Sequence, residues 1–295
     1  MRALVIGASG QVGGALCLEL GRRGHAVVGT HARTAAPGTV HLDLGDAPAT
    51  ERLLGETAPD WVFCAGALTH VDFCEAHPDD AARLNRDGPR AAAQAAARLG
   101  AGFVFYSTDY IFDGTAGPYG EDDRANPVSV YGRTKWEGEL AVREALQRCL
   151  ILRTTVVYGP ERQEKNFVYQ VIRHCRDGER MLVPADQVSS PTFNGDLAAA
   201  SVELVEHDAR GVYHVAGTSV LDRFAFARLV AEVFGLDGGW LAPVPTARLG
   251  QRAPRPLRGG LSVERALRVL GTPLRSAREG LETMRDVIAP LGKLR

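Results

Sequence analysis

The opening thirteen residues constrain this chain more than any other segment. Ala3-Leu4-Val5-Ile6 is a short apolar run that leads directly into Gly7-Ala8-Ser9-Gly10-Gln11-Val12-Gly13, and an amphipathic stretch follows. Strand, glycine turn and helix in that order form the first half of a βαβ unit. Each glycine has a physical task. Gly7 permits the tight turn, Gly10 lets the backbone approach a pyrophosphate, and Gly13 lets helix and strand pack closely. The helix that begins at Gln11 then turns unpaired N–H groups and a positive dipole end toward the anion. A dinucleotide cofactor is the ligand such a loop is built for, with contacts expected at Gly7, Gly10, Gln11, Val12 and Gly13.

The rhythm that starts there continues. Ala26-Val27-Val28, Trp61–Cys64, Phe103–Tyr106 and Leu150–Val157 are apolar runs of strand length, and Gly211–Val215 returns one more strand. Continuous apolar runs suit parallel strands buried on both faces. Between them Gln11–Arg23, Pro48–Glu56 and Pro78–Leu99 read as helices. The pattern predicts an α/β fold, a doubly wound parallel (Rossmann) sheet. After Tyr158 prolines at 160, 184, 191, 243, 245, 254, 256 and 273 break the rhythm. The expected partition is a dinucleotide-binding domain from 1–158 and 193–215, where helix Asn194–Glu206 belongs. Residues 159–192 and 216–295 make a smaller α/β substrate lobe, with Phe224 and Trp240 filling its core.

Composition narrows the function classes. Lys+Arg 34 against Asp+Glu 35 leaves a net charge of -1 over 295 residues, so no global field favours nucleic acid or an anionic membrane. No apolar run approaches the ~18–20 residues that span a bilayer. The start of the chain is too short in apolar residues for a secretory signal. Five cysteines at 17, 64, 74, 149 and 175 form no C-x-x-C pair, and the eight histidines show no metal-binding spacing. Together these features predict reduced thiols, no metal site and a cytoplasmic protein. Cys64, closing an apolar run, reads as core rather than as a nucleophile.

Two further segments carry chemistry. The end of the second strand decides between dinucleotides, because a carboxylate there holds a ribose 2′-hydroxyl and an arginine receives a 2′-phosphate. Here Gly29-Thr30-His31-Ala32-Arg33 offers Thr30 and Arg33 and no carboxylate before Asp43. This favours NADP(H) and leaves NAD(H) as the other choice, with Asp43 and Leu44 expected near the adenine. Tyr131 and Lys135 stand at i and i+4, one helical turn apart on one face. An ammonium group beside a phenol stabilises the phenolate, so the pair suits proton exchange with the carbonyl that a nicotinamide reduces. Ser107-Thr108-Asp109 follows a strand, which puts its hydroxyls at the carboxyl end of a parallel sheet. Thr108 is expected to hold the reacting oxygen.

Together these motifs resemble the extended short-chain dehydrogenase/reductases. Ser107–Gly114 and Val130–Glu139 are similar, more narrowly, to the dTDP-4-dehydrorhamnose reductase family. So are Asp186-Gln187, Ser190-Pro191-Thr192, Tyr213-His214 and Arg255-Pro256. The resemblance implies cofactor contacts at Gly10, Gln11, Val12, Ala65, Gly66, Ala67, Tyr106, Tyr131 and Lys135. It implies substrate contacts at Thr108 and Asp109, with Tyr131 as proton donor. The reaction it implies is NADPH-dependent reduction of the 4-keto group of a nucleotide-linked 6-deoxy sugar, the partner being that nucleotide sugar. Some members of the family dimerise, and a homodimer is left open.

The chain departs from that family where the sugar would sit. Val156 stands in Arg153-Thr154-Thr155-Val156-Val157-Tyr158 where the family carries a tryptophan. Ser189 replaces a usual glycine, and Arg258-Gly259 replace Asn-Ser after Arg255-Pro256. Arg248, Arg252, Arg255 and Arg258 form a basic run, of which Arg255 is the residue expected to clamp a diphosphate. Two other roles stay open on the same motifs. One is an epimerase or dehydratase that recycles its cofactor. The other is an NADP(H)-binding regulatory subunit similar to the methionine adenosyltransferase beta subunit.

Overall fold

The computed structural model describes residues 1–291. Seven strands form its central sheet: β1 (Arg2–Ile6), β2 (Ala26–His31), β3 (Thr39–His41), β4 (Trp61–Cys64), β5 (Gly102–Thr108), β6 (Cys149–Thr154) and β7 (Gly211–His214). Their order is β7-β6-β5-β4-β1-β2-β3, and every pairing is parallel. The expected doubly wound sheet is therefore present. Successive residues of one strand serve opposite cores. Val5, Phe63, Val104 and Leu152 pack with Leu16 and Leu20 and with Leu197–Val205 on one face. Leu4, Val62, Phe103, Phe105 and Ile151 pack with Leu54, Ala92, Ala96 and Val142 on the other. Burial on both faces is why these strands are uniformly apolar rather than alternating. Each fully buried Phe contributes on the order of 1.5–3 kcal/mol.

The chain leaves β1 toward β2 on one side and reaches β4 on the other, so the strand order reverses between β1 and β4. Ligands bind in open α/β sheets outside the carboxyl ends of the strands at such a reversal. Gly7 ends β1 with φ +87°, and a Cβ there would stand 2.7 Å from the backbone nitrogen of Gly66 at the end of β4. The two loops touch only because Gly7 has no side chain.

Two segments differ from their sequence-based reading. The helix expected over Pro78–Leu99 is divided into Pro78–Ala82, a π turn at Arg83–Asp87, and Gly88–Arg98. Pro89 brings no N–H and its ring clashes with the preceding turn, a common cause of such a widening. The strand expected over Leu150–Val157 ends at Thr154, because Val156 adopts φ +42°. Val157–Tyr158 then pairs with Thr192–Phe193 instead of continuing the sheet. A β-branched residue in the left-handed region is strained, and it turns the chain toward a second packed unit.

That unit has its own core of Tyr158, Val168, Ile172, Val183, Phe226, Val230, Leu281 and Met284. Helices Phe167–Asp177, Arg223–Val233 and Ala277–Ile288 surround it, and Met181–Pro184 pairs in parallel with Leu241–Val244. Phe224 packs against this core as expected. Trp240 does not fill it: the ring is 39% exposed and lies over Gly178, whose missing side chain makes room for it. No described helix is long and apolar enough to cross a membrane.

Candidate active site

A cavity of about 940 Å³ opens along the carboxyl ends of the strands, at the upper end of the range for small-ligand sites. Gly7, Gly10, Gln11, Val12 and Gly13 line one end of it. Gly10 caps helix Gln11–Arg22 in an extended conformation and supplies no side-chain cap, so the helix's first N–H groups are left for a ligand. A Cβ on Gly13 would come 2.2 Å from the Gly7 carbonyl oxygen. The close helix–strand approach expected of that glycine is thus an absolute steric demand. Ala65, Gly66 and Ala67 form the facing wall.

Beyond β2 the wall carries Arg33, which is exposed, and Asp43 and Leu44. Asp43 is held by Arg83 at 3.1 Å and by the Gly45 N–H at 2.9 Å. Thr30 corrects the reading made from sequence. It is buried outside the cavity wall, and its hydroxyl accepts the Gly7 N–H at 3.2 Å. It braces the glycine loop from below, while Arg33 and Thr34 line the cavity at this strand end.

The chemistry-bearing helix, Val130–Ala145, starts at Ser129, whose hydroxyl accepts the Gly132 N–H at 3.2 Å. Glu75 accepts the Val130 N–H at 3.0 Å. Gly132 packs on the turn after β5, where a Cβ would stand 2.1 Å from the Tyr110 carbonyl oxygen. This close approach brings Tyr131 to the cavity wall together with Thr108, Asp109 and Lys135. Lys135 is 2% exposed. Its ammonium donates to the Tyr106 carbonyl at 2.6 Å and sits 4.0 Å from the centre of the Phe105 ring. Burial lowers its pKa to about 8.

Burial also raises the Tyr131 phenol well above its ordinary value, and only the Thr108 hydroxyl beside it draws it down. The i, i+4 spacing of Tyr131 and Lys135 predicts an ammonium that acidifies this phenol. In the structure the ammonium is engaged by the Tyr106 carbonyl, and desolvation dominates. A phenol held in its neutral form is a proton donor, the form a reduction consumes. Asp109 is buried and its carboxyl rises to about 6 through desolvation, opposed by the hydroxyls of Thr155 and Thr108. Thr108 donates to Asp109 at 3.3 Å. Cys64 is core as expected, its thiol pushed up to about 12 by burial.

Val156 lines the cavity, but Arg255 does not. Its guanidinium is 8% exposed and pairs with Asp72 at 3.0 Å while donating to the Ala253 carbonyl. An arginine committed to a carboxylate has lost the free fork that a diphosphate needs. Arg223 lines the wall instead, and nothing in its local sequence marks it. Asn85 was equally hidden inside an alanine-rich helical stretch. From the π turn its side chain accepts the Leu68 N–H at 2.8 Å and donates to the Leu68 carbonyl at 3.0 Å, fixing the loop after β4. Gln163 and Lys165 reach the cavity from the second unit, Gln163 donating to the Ser9 carbonyl at 3.1 Å.

The wall fits a dinucleotide. Besides the uncapped helix and Arg33, the lining residues carry buried polar atoms without a partner among the described residues, Gln11 Nε2, Ser107 Oγ and Thr154 Oγ1 among them. Such atoms are costly unless a ligand or water completes them.

Comparison with known proteins agrees with this geometry. The family model described as the RmlD substrate binding domain matches residues 1–289. The spore coat polysaccharide biosynthesis protein SpsK of Bacillus subtilis is 34% identical over 281 residues, 95% of each chain. The dTDP-4-dehydrorhamnose reductase of Mycolicibacterium smegmatis is 36% identical over 284 residues, 95% of this chain and 84% of that one. The crystal structure of the dTDP-4-dehydrorhamnose reductase of Bacillus anthracis in complex with NADP superposes with a TM-score of 0.89 at 30% identity. It covers 97% of this chain and 99% of its own. A family match over nearly the whole chain and these full-length relatives place the chain in the RmlD substrate binding domain family.

Proposed function

We propose that this protein is an NADP(H)-dependent reductase that acts in the cytoplasm on the 4-keto group of a nucleotide-linked 6-deoxy sugar, in the manner of dTDP-4-dehydrorhamnose reductase. The observation that carries the reading is the meeting of Tyr131, Thr108 and Lys135 on the wall that also bears the glycine loop. Relatives of similar length named as reductases support it, as does the neighbouring structure with NADP. NADPH, when bound, supplies the hydride. The chain's own residues do the rest. The Gly7–Gly13 loop and Arg33 hold the phosphates of the cofactor, and Lys135 turns its remaining N–H donors toward the ribose. Thr108 orients the keto oxygen, and the neutral Tyr131 phenol gives its proton to that oxygen. Asp109 binds a sugar hydroxyl, and Val156 borders the sugar. The unit formed by 159–192 and 216–295, whose last four residues lie outside the described residues, receives the nucleotide.

The test is NADPH oxidation, followed by nicotinamide absorbance, with dTDP-4-keto-6-deoxy-L-lyxo-hexose and with NADH in parallel. The reading predicts turnover with NADPH preferred and a 6-deoxyhexose product. Tight NADPH binding with no consumption on this or any other nucleotide-linked keto sugar contradicts it.

A further inference from the structure

Five cationic side chains line the cavity: Arg33, Arg83, Lys135, Lys165 and Arg223. Arg83 is neutralised by Asp43, and Lys135 is engaged by the Tyr106 carbonyl. Arg33 and Lys165 are exposed, where water solvates them. Arg223 differs from all four. It is the first residue of helix Arg223–Val233, largely withdrawn from solvent, with its guanidinium 4.8 Å from the centre of the Phe167 ring. Among the described residues no carboxylate pairs with it, and its side chain makes no hydrogen bond of its own. The acid that acts on it, Asp109, accepts the Thr108 hydroxyl at 3.3 Å. Burial already lowers the pKa of the guanidinium, the physical sign of a charge that lacks compensation. A desolvated fork of donors aimed into a binding cavity is the arrangement that recognises phosphate.

We propose that Arg223 is the anion anchor of the substrate site and takes phosphate oxygens of a sugar nucleoside diphosphate. The proposal rests on the reductase reading for the identity of the substrate and adds the residue that holds its charge. The two anionic ligands of the cavity are thereby separated. The glycine loop and Arg33 serve one end, and Arg223, beside Asp109 and Tyr110, serves the other. The keto carbon and the anomeric carbon of a pyranose lie across the ring from one another, and Arg223 lines the same cavity as Tyr131 from the helix of the second unit. Arg255, the residue of the basic run expected to do this, is held by Asp72 and lies off the wall.

The experiment is calorimetric titration of dTDP, UDP and thymidine into the NADP-loaded protein, for wild type, Arg223→Met and Arg223→Lys. Methionine keeps the apolar contact with Phe167, and unchanged NADPH affinity and melting temperature report an intact fold. The wild type is expected to bind a nucleoside diphosphate more tightly than thymidine. Arg223→Met is expected to weaken that binding by about tenfold or more. Arg223→Lys recovers part of the loss, because an ammonium keeps the charge without the fork. A wild type that binds neither diphosphate more tightly than thymidine overturns the proposal, and so does an Arg223→Met variant with wild-type affinity. The reductase reading stands or falls separately. Diphosphate binding through Arg223 with no keto sugar reduced rejects the reductase and keeps the anchor. Turnover with unchanged KM in Arg223→Met keeps the reductase and rejects the anchor.

Discussion

At Tyr131 opposing influences meet: burial, with the nearby Asp109 charge behind it, raises the phenol, and the Thr108 hydroxyl lowers it. Desolvation wins, so the side chain enters the reaction as an acid. Thr108→Val removes the one group that draws the phenol down and leaves the keto oxygen with Tyr131 as its one hydroxyl donor. A loss of kcat by about 10²-fold is expected, the lower end of what one positioned polar group contributes. Steady-state kinetics with NADPH affinity as a control checks it, and unchanged kcat would remove Thr108 from the reaction. Lys135 sets the pH dependence. Its ammonium, pulled down to about 8, is charged below that value and neutral above it. Reduction is therefore expected to fall as pH rises through about 8, and the falling limb should shift upward in Lys135→Arg, whose guanidinium keeps its charge. A flat profile to pH 10 would contradict a role for the charged form.

Elements explain how those side chains come to face one another. The loop after β4 is pinned by Asn85 in the π turn, two bonds to one residue's backbone. Asn85→Ala leaves the Leu68 N–H and carbonyl without their partner, at a cost of roughly 1–3 kcal/mol. It should lower the unfolding midpoint and weaken NADPH binding together. A lower midpoint with unchanged NADPH affinity would confine Asn85 to the fold. Both motif-bearing segments were legible from sequence because their demands are local. Gly7, Gly10 and Gly13 answer to a turn and a helix end a few residues away, and Tyr131 and Lys135 to one helical turn. Arg223, Asn85 and Arg83 were illegible for the opposite reason. Each reaches the site from an element distant in sequence, and only tertiary packing says which arginine stays free. The Arg255-Pro256 motif points to Arg255, yet Asp72, 183 residues away, claims it. Thr30 was misplaced by the alternation of a strand, which turns it beneath the glycine loop rather than toward the ligand.

For the molecule as a whole, buried charge ties the sheet to the helix that carries the chemistry. Arg153 on β6 pairs with Glu139 on helix Val130–Ala145 at 2.8 Å, both buried, and also meets His214 on β7. Glu139→Gln strands the guanidinium, with an expected loss of about 3–5 kcal/mol measured by denaturant unfolding; a change below about 1 kcal/mol would show that the pair is dispensable. His214 donates through Nδ1 to the Tyr119 and Ser262 carbonyls. Burial and the adjacent Arg153 lower its pKa to about 3 from 6.5. The unfolded chain takes up this proton first, so the stability it confers is complete above pH 6.5 and lost as pH falls toward 3. His214→Gln should flatten stability over that window, and an unchanged slope would assign acid sensitivity to other groups. The alternating α/β rhythm announced the sheet from sequence, while the strained turn at Val156 that diverts the chain into the second unit has no local signature. The chain's central chemistry comes down to one hydroxyl. NADPH consumption with dTDP-4-keto-6-deoxy-L-lyxo-hexose should fall by about 10³-fold in Tyr131→Phe, with NADPH affinity retained. Equal turnover in the two proteins, or no turnover in the wild type despite bound NADPH, would contradict a reductase whose proton comes from Tyr131.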